Sequence, residues 1–197
     1  MSRADKERRK AADLDQENFY GHLTKLRNSL DHESDRGCVV VAAAFLDEAL
    51  EALLRARLVD DGRLEELFEH PHPLSTFSAK TRMAFAVGSI SRGERDDADI
   101  IRALRNEFAH LHPVTAFADK HVKDACGRLR ILGALDRAMI EEDPRWSFTL
   151  AVSLLASDWW TRLLPSNTER LELAEDKTWT EEQIRLFAED PPVSERA

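Results

Sequence analysis

Glycine and proline are scarce in this chain, seven of each in 197 residues, which argues against a fold of many tight turns and leaves room for long uninterrupted segments. Cysteine is scarcer still. Cys38 and Cys126 are the only two, too few for a disulfide framework, so packing has to hold the core. Positive charge is outweighed: 28 Lys and Arg stand against 37 Asp and Glu, for a formal net charge of −9. Such a surface on average repels a phosphate backbone, and generic DNA binding is disfavoured. A long apolar run is missing too. The most apolar stretch, "WSFTLAVSLLASDWWTRLL" (146–164), contains Ser147, Ser153, Asp158 and Arg162. Each is costly in hydrocarbon, so the stretch reads as a buried helix and no membrane contact is expected. No secretory signal is read at the start of the chain, and the expected compartment is the cytoplasm.

What is abundant is Ala, Leu, Arg and Glu, residues that lose little rotamer freedom in a helix. With 43% hydrophobic residues the chain can bury one sizeable core, and the fold class is all-α. Residues 1–12 are charged and aperiodic, a flexible lead. Residues 13–165 form the expected helical bundle, and 166–197 a short acidic helical tail. Within the bundle the pattern predicts a helix over Leu14–Leu30, a long central helix over Gly37–Val59, a proline loop at "HPHPL" (70–74) and a segment over 77–90 closed by Gly88. Another helix spans 94–111, with Ile101, Leu104, Phe108 and Leu111 on one buried stripe. One more runs over Lys120–Ile140. An "EEDPR" break (141–145) precedes the Trp-rich helix, and two capping boxes, "SNTE" (166–169) and "TEEQ" (180–183), start short helices in the tail.

The stretch "RNEFAHLHP" (105–113) carries the densest polar chemistry. Taking Ile101 as origin on an ideal helix, Arg105 lies near about 40°, Arg102 about 100°, Asn106 about 140° and His110 about 180°. They make one polar flank. A structural use is open to them, His110 at the negative end of its helix and Arg105 paired with an acid on the central helix. Asp47, Glu48 and Glu51 sit one turn apart there, and Asp47 and Glu51 are expected to orient Arg105 or Arg102. A chemical use is open as well. An imidazole that titrates near neutrality beside a permanently charged guanidinium suits proton transfer at a phosphate gathering charge. His110 would handle a proton, Arg105 would clamp phosphoryl oxygens, and a second chain would complete the cleft.

Arg105 and Asn106, then His110 five residues after the arginine, resemble the R-x4-6-H motif of the HEPN superfamily, small all-helical domains that include metal-independent ribonucleases. A longer stretch, "FSAKTRMAFAVGSISRGERDDADIIRALRNEFAH" (77–110), resembles the bacterial mannitol operon repressor family. The resemblance rests on Ser78, Arg82, Ala84, Phe85 and Gly88, an acidic turn at Asp97, then Ile101, Arg102, Arg105, Asn106, Phe108, Ala109 and His110. It covers about 36–135. It implies a HEPN-like helical homodimer, and the family name implies control of a sugar-alcohol operon. A helix-turn-helix can be laid over residues 80–101, but its would-be recognition helix carries Asp96, Asp97 and Asp99, which would face phosphates, so direct DNA reading is not expected.

Other clusters are weaker. His70 and His72 form an H-x-H in the proline loop, with His110, His112 and His121 as further candidates. Lacking Cys pairs or an H-E-x-x-H helix, they read as solvated, and no metal or cofactor is expected. Trp146, Trp159 and Trp160 have no interleaved basic cluster and read as a subunit interface, not a base-stacking platform. The leading expectation is therefore a homodimer in which Arg105, Asn106 and His110 line a cleft that binds RNA and cleaves it without metal, with Arg102, Asp47 and Glu51 in support. The alternative is a non-enzymatic regulator of the mannitol-repressor type. It would act through a protein partner, an antitoxin or another regulator.

Overall fold

The computed structural model describes residues 26–110, 115–163 and 169–172. Every element among them is helical, the all-α class expected from composition. After a helical stretch at 26–32, α1 (Asp35–Arg57) is the long central helix. It starts two residues before the expected glycine because the Ser34 hydroxyl accepts the Gly37 N–H and supplies the cap. A 3-10 turn (Gly62–Leu64) and the short α2 (Glu65–Phe68) follow.

The proline loop leads into α3 (Phe77–Ala86), which Thr76 caps. Gly88, at φ +72°, makes the left-handed turn that lets the chain double back. The Ser89 N–H meanwhile reaches the Ala84 carbonyl, satisfying the helix end. α4 (Arg92–Ala109) opens with a complete capping box, Ser91 and Glu94 each accepting the other's backbone N–H.

The single helix expected over Lys120–Ile140 is three pieces: α5 (Lys120–Cys126), a 3-10 turn (Arg130–Leu132) and α6 (Arg137–Glu142). The buried Asp97 carboxylate explains one break, since it accepts the backbone N–H groups of Arg130 at 2.7 Å and Ile131 at 2.9 Å. Asp136 explains the next by capping α6 through the Ala138 N–H. The break expected at 141–145 is there, narrowed to Asp143, at which α6 ends and the Trp-rich helix begins. Pro144 occupies the first turn of α7 (Pro144–Thr161), where no N–H is needed, with Asp143 as cap.

α1 packs against α3, α4 and α7, and α5 and α6 close over the far side of α7. The core these helices share includes Leu46, Leu50, Leu54, Ile101, Leu104, Phe108, Phe148, Leu155 and Trp159. Phe108, Phe117 and Phe148 stack in tilted pairs with ring centres 5.4 Å apart. Most of the expected Leu14–Leu30 helix, Leu111, His112 and both tail capping boxes lie outside the described residues.

Candidate functional site

α4 carries the residues singled out by sequence, and its burial follows the expected stripe. Ala98, Ile101, Leu104 and Phe108 face the core. Arg105, Asn106 and His110 come out exposed at the C-terminal end. Arg105 Nη1 donates to Asn106 Oδ1 at 3.3 Å, a contact between neighbours in sequence. Among the described residues nothing joins Arg105 to His110. His110 is the residue at which the helix ends, its N–H reaching the Glu107 carbonyl. The next free carbonyl, that of Ala109, accepts from Arg36 Nη2 at 2.6 Å. Arg36 stands in the first turn of α1, so the α4 exit is tied to the α1 entrance. Glu107 faces His121 Nε2 at 3.1 Å.

The supporting residues are placed differently from expectation. Asp47 and Glu51 do not orient Arg105 or Arg102. They lie on the α1 face that meets α3, where Lys80, only 4% exposed, is held at 3.1 Å by Asp47 and 2.8 Å by Glu51. Glu51 also binds Arg55 at 2.8 Å, and Arg55 bridges to Glu65 at 2.9 Å and covers the Phe68 ring at 4.2 Å. Burial pushes the Glu51 carboxyl up, but Lys80 and Arg55 outweigh it and hold it below its ordinary value. Arg102 pairs one turn back with Asp99 at 3.3 Å. Lys80 escaped the sequence reading, since a lone lysine in an amphipathic pattern is normally solvent-facing.

The acidic residues of α4 have structural employment. Asp97 is buried under the 3-10 turn; burial raises its carboxyl above the ordinary value against the pull of the two backbone N–H groups. Asp96 meets Arg130 at 3.0 Å. Glu94, also buried, accepts from Trp159 Nε1 at 2.8 Å and sits 2.9 Å from Arg162 Nη2. Trp159 is therefore a core residue and not part of a subunit interface, whereas Trp146 is exposed. His70 and His72 are exposed, and among the described residues no group of three or more His, Cys, Asp or Glu is placed to hold a metal. Nor is any described helix long and apolar enough to cross a membrane.

Comparison with known proteins bears directly on this site. The family model described as MtlR, mannitol repressor, matches residues 24–154. The mannitol operon repressors of Escherichia coli strains K12 and CFT073 are each 30% identical over 105 residues, 51% of this chain and 54% of theirs. The chain thus spans about half the length of the curated relatives it matches. Two solved structures share the fold. The X-ray structure of the MtlR–HPr complex from Escherichia coli aligns with TM-score 0.60 and 22% identity, over 73% of this chain and 99% of that one. A possible transcriptional regulator, YggD from Shigella flexneri, aligns with TM-score 0.58 and 14% identity, over 70% and 96%. These likenesses overturn the expectation that the chain is an RNA-cleaving protein of the HEPN type. They lead to repressors, and so to the alternative reading.

Proposed function

The chain belongs to the mannitol repressor family, and from that premise we propose that it is a non-enzymatic regulator of transcription that works through a protein partner and does not itself read DNA. One observation carries the reading: the helical body seen here shares the fold of the Escherichia coli protein whose structure was taken as an MtlR–HPr complex. The partner we propose for this chain is accordingly the HPr of its own organism. The surface agrees. A net charge of −9 repels a phosphate backbone, and the helix that follows the α3–α4 turn commits Asp96, Asp97 and Asp99 to Arg130, the 3-10 turn and Arg102. None of the three is replaced by a base-reading side chain. Exposed Arg105, Asn106 and His110 belong, in this proposal, to the protein-facing surface. A homodimer and a cytoplasmic site of action complete the proposal.

Calorimetric titration decides it. HPr from the same organism is titrated into the purified chain, and a 30-base-pair duplex of operator sequence into a second sample at physiological salt. Saturable binding of HPr without uptake of the duplex is the expected result. Micromolar or tighter binding of the duplex with none of HPr would overturn the reading.

A further inference from the structure

Arginine is treated unequally across the bundle. Away from the α3–α4 hairpin most arginines meet a carboxylate, as Arg55, Arg63, Arg130, Arg137, Arg145 and Arg162 each do. On the hairpin that pattern fails. Arg82, Arg92 and Arg105 are exposed and Arg95 half-buried, and among the described residues no carboxylate pairs with any of the four. Shortage of acid is not the reason, since the chain has 37 acidic residues against 28 basic. Arg27, Arg36 and Arg128 also lack a carboxylate among the described residues, but they belong to separate elements, before α1, within it and after α5.

With Ile101 again as origin, Arg105 near about 40°, Arg102 near about 100° and Arg95 near about 120° line one flank of α4 over about 15 Å. The acids of the other flank, Asp96 near about 220° and Glu107 near about 240°, are turned away and held by Arg130 and His121. Arg95 identifies what the positive flank borders. Its guanidinium lies 5.0 Å from the centre of the Phe85 ring, so the neighbour is α3, and Arg82, one turn before Phe85, stands exposed beside it. Lys80 with its acids Asp47 and Glu51 faces α1, about 160° round α3 from Arg82. Within the flank Asp99 answers Arg102 alone.

Four guanidinium groups, Arg82, Arg95, Arg102 and Arg105, against the single carboxylate of Asp99 suit an anionic surface from outside. A nucleic acid fits poorly. Its backbone is uniformly negative, whereas Asp99 interrupts this flank and Asp96 and Glu107 line the next, and the Phe85 ring, covered by Arg95, offers no stacking surface. A protein presents carboxylates singly, each able to take a guanidinium through two parallel bonds. Arg95, stacked on Phe85 with its Nε buried, is already held and loses little freedom when such a group arrives. We propose that the outer face of the α3–α4 hairpin docks an acidic face of the partner protein, whose carboxylates run in a row about 15 Å long to meet Arg82, Arg95, Arg102 and Arg105. That contact rests on the protein-partner reading above and specifies its chemistry.

The test uses the full-length chain with three titrants: HPr of the same organism in the calorimeter, and a labelled oligoglutamate peptide and a labelled oligouridylate of equal length by fluorescence anisotropy. Arg82→Glu with Arg105→Glu reverses two exposed charges and breaks no ion pair; Arg27→Glu with Arg128→Glu is the matched control, two exposed arginines off the hairpin. Wild type and control should bind HPr and the peptide alike, and raising the salt from about 50 to about 300 mM should weaken both about tenfold. The hairpin variant should weaken both about thirtyfold. Should the reversed pair disturb folding, Arg82→Gln with Arg105→Gln replaces it, with about tenfold loss expected. Equal binding of HPr by hairpin variant and control, or oligouridylate bound as tightly as the peptide, would overturn the proposal. If the wild type does not take up HPr, the choice of that partner fails by itself and the peptide decides: binding lost in the hairpin variant alone keeps the acidic contact, and no difference between the variants overturns it.

Discussion

The indole Nε1 of Trp159 lies 2.8 Å from a carboxylate oxygen of Glu94, and both residues are buried. Through this one contact the first turn of α4 is fastened to the last turns of α7. Ser91 N–H holds the other oxygen of the same carboxylate at 2.7 Å. Replacing Trp159 by Phe keeps most of the ring but removes the donor, leaving a buried carboxylate short of one bond. The expected loss is about 1–2 kcal/mol, roughly 3–6 °C in a thermal melt of a chain this size. An unchanged melt would mean that Arg162 alone satisfies Glu94.

The same carboxylate sets an acid limit. Burial acts to raise it, but Ser91 and Arg162 outweigh burial and hold it below its ordinary value of 4.5. A group whose folded value is depressed adds stability that is complete above its unfolded value and disappears as pH falls through the folded one. Glu51 acts in the same direction. Asp97 acts oppositely, because its folded value is raised; its contribution fades as pH rises. Chemical denaturation followed downward from pH 5 should therefore show falling stability, and Glu94→Gln should flatten that slope while lowering stability at pH 7.

Much of the fold was legible, and the failures share a cause. Ile101, Leu104 and Phe108 announced the buried face of α4 because helical periodicity is a local property. Gly88 equally carries its instruction within a few residues, and so does the Ser91–Glu94 capping box, although the helix was expected only from 94. The segmentation of 120–140 was illegible because its cause, Asp97, lies more than 30 positions away and acts only once the chain has folded over it. The break at 141–145 was legible because both of its signals are local: Asp143 caps and Pro144 sits in the first turn, where no N–H is needed. At the candidate site the sequence located Arg105, Asn106 and His110 on an open flank. It could not place Asp47 and Glu51, since several cations were available to them and the α1–α3 packing selects Lys80.

Asp97 gives a direct test of that non-local cause. Asp97→Ala strands two partly buried backbone N–H groups, at a cost of about 1–3 kcal/mol, and should loosen Arg130–Leu132 in hydrogen exchange before the rest of the bundle. Asp97→Asn keeps one carbonyl oxygen for one of them and should cost roughly half as much. Equal losses in the two variants would show that the turn does not depend on the acceptor.

Lys80 should behave as a buried cation whose value lies in its partners. Lys80→Met leaves Asp47 without its cation and Glu51 with Arg55 alone, and about 1–3 kcal/mol is the expected loss, kept modest because both carboxylates are partly solvated. Adding Asp47→Asn and Glu51→Gln removes both carboxylate charges and should recover much of it. A triple variant no more stable than Lys80→Met would assign the loss to packing of the lysine stem.

Arg105 and His110 separate the surface role from both of its rivals. A histidine kept for folding would be buried or bonded through its ring, but His110 is exposed, and its bond among the described residues is the backbone one to Glu107. Arg105→Ala and His110→Ala should therefore each change stability by no more than about 0.5 kcal/mol. If these side chains belong to the protein-facing surface, the double variant should weaken HPr binding about tenfold in the calorimeter with its melting curve unchanged. A lowered melt with intact binding would return both residues to structural duty and move the partner surface elsewhere on the bundle.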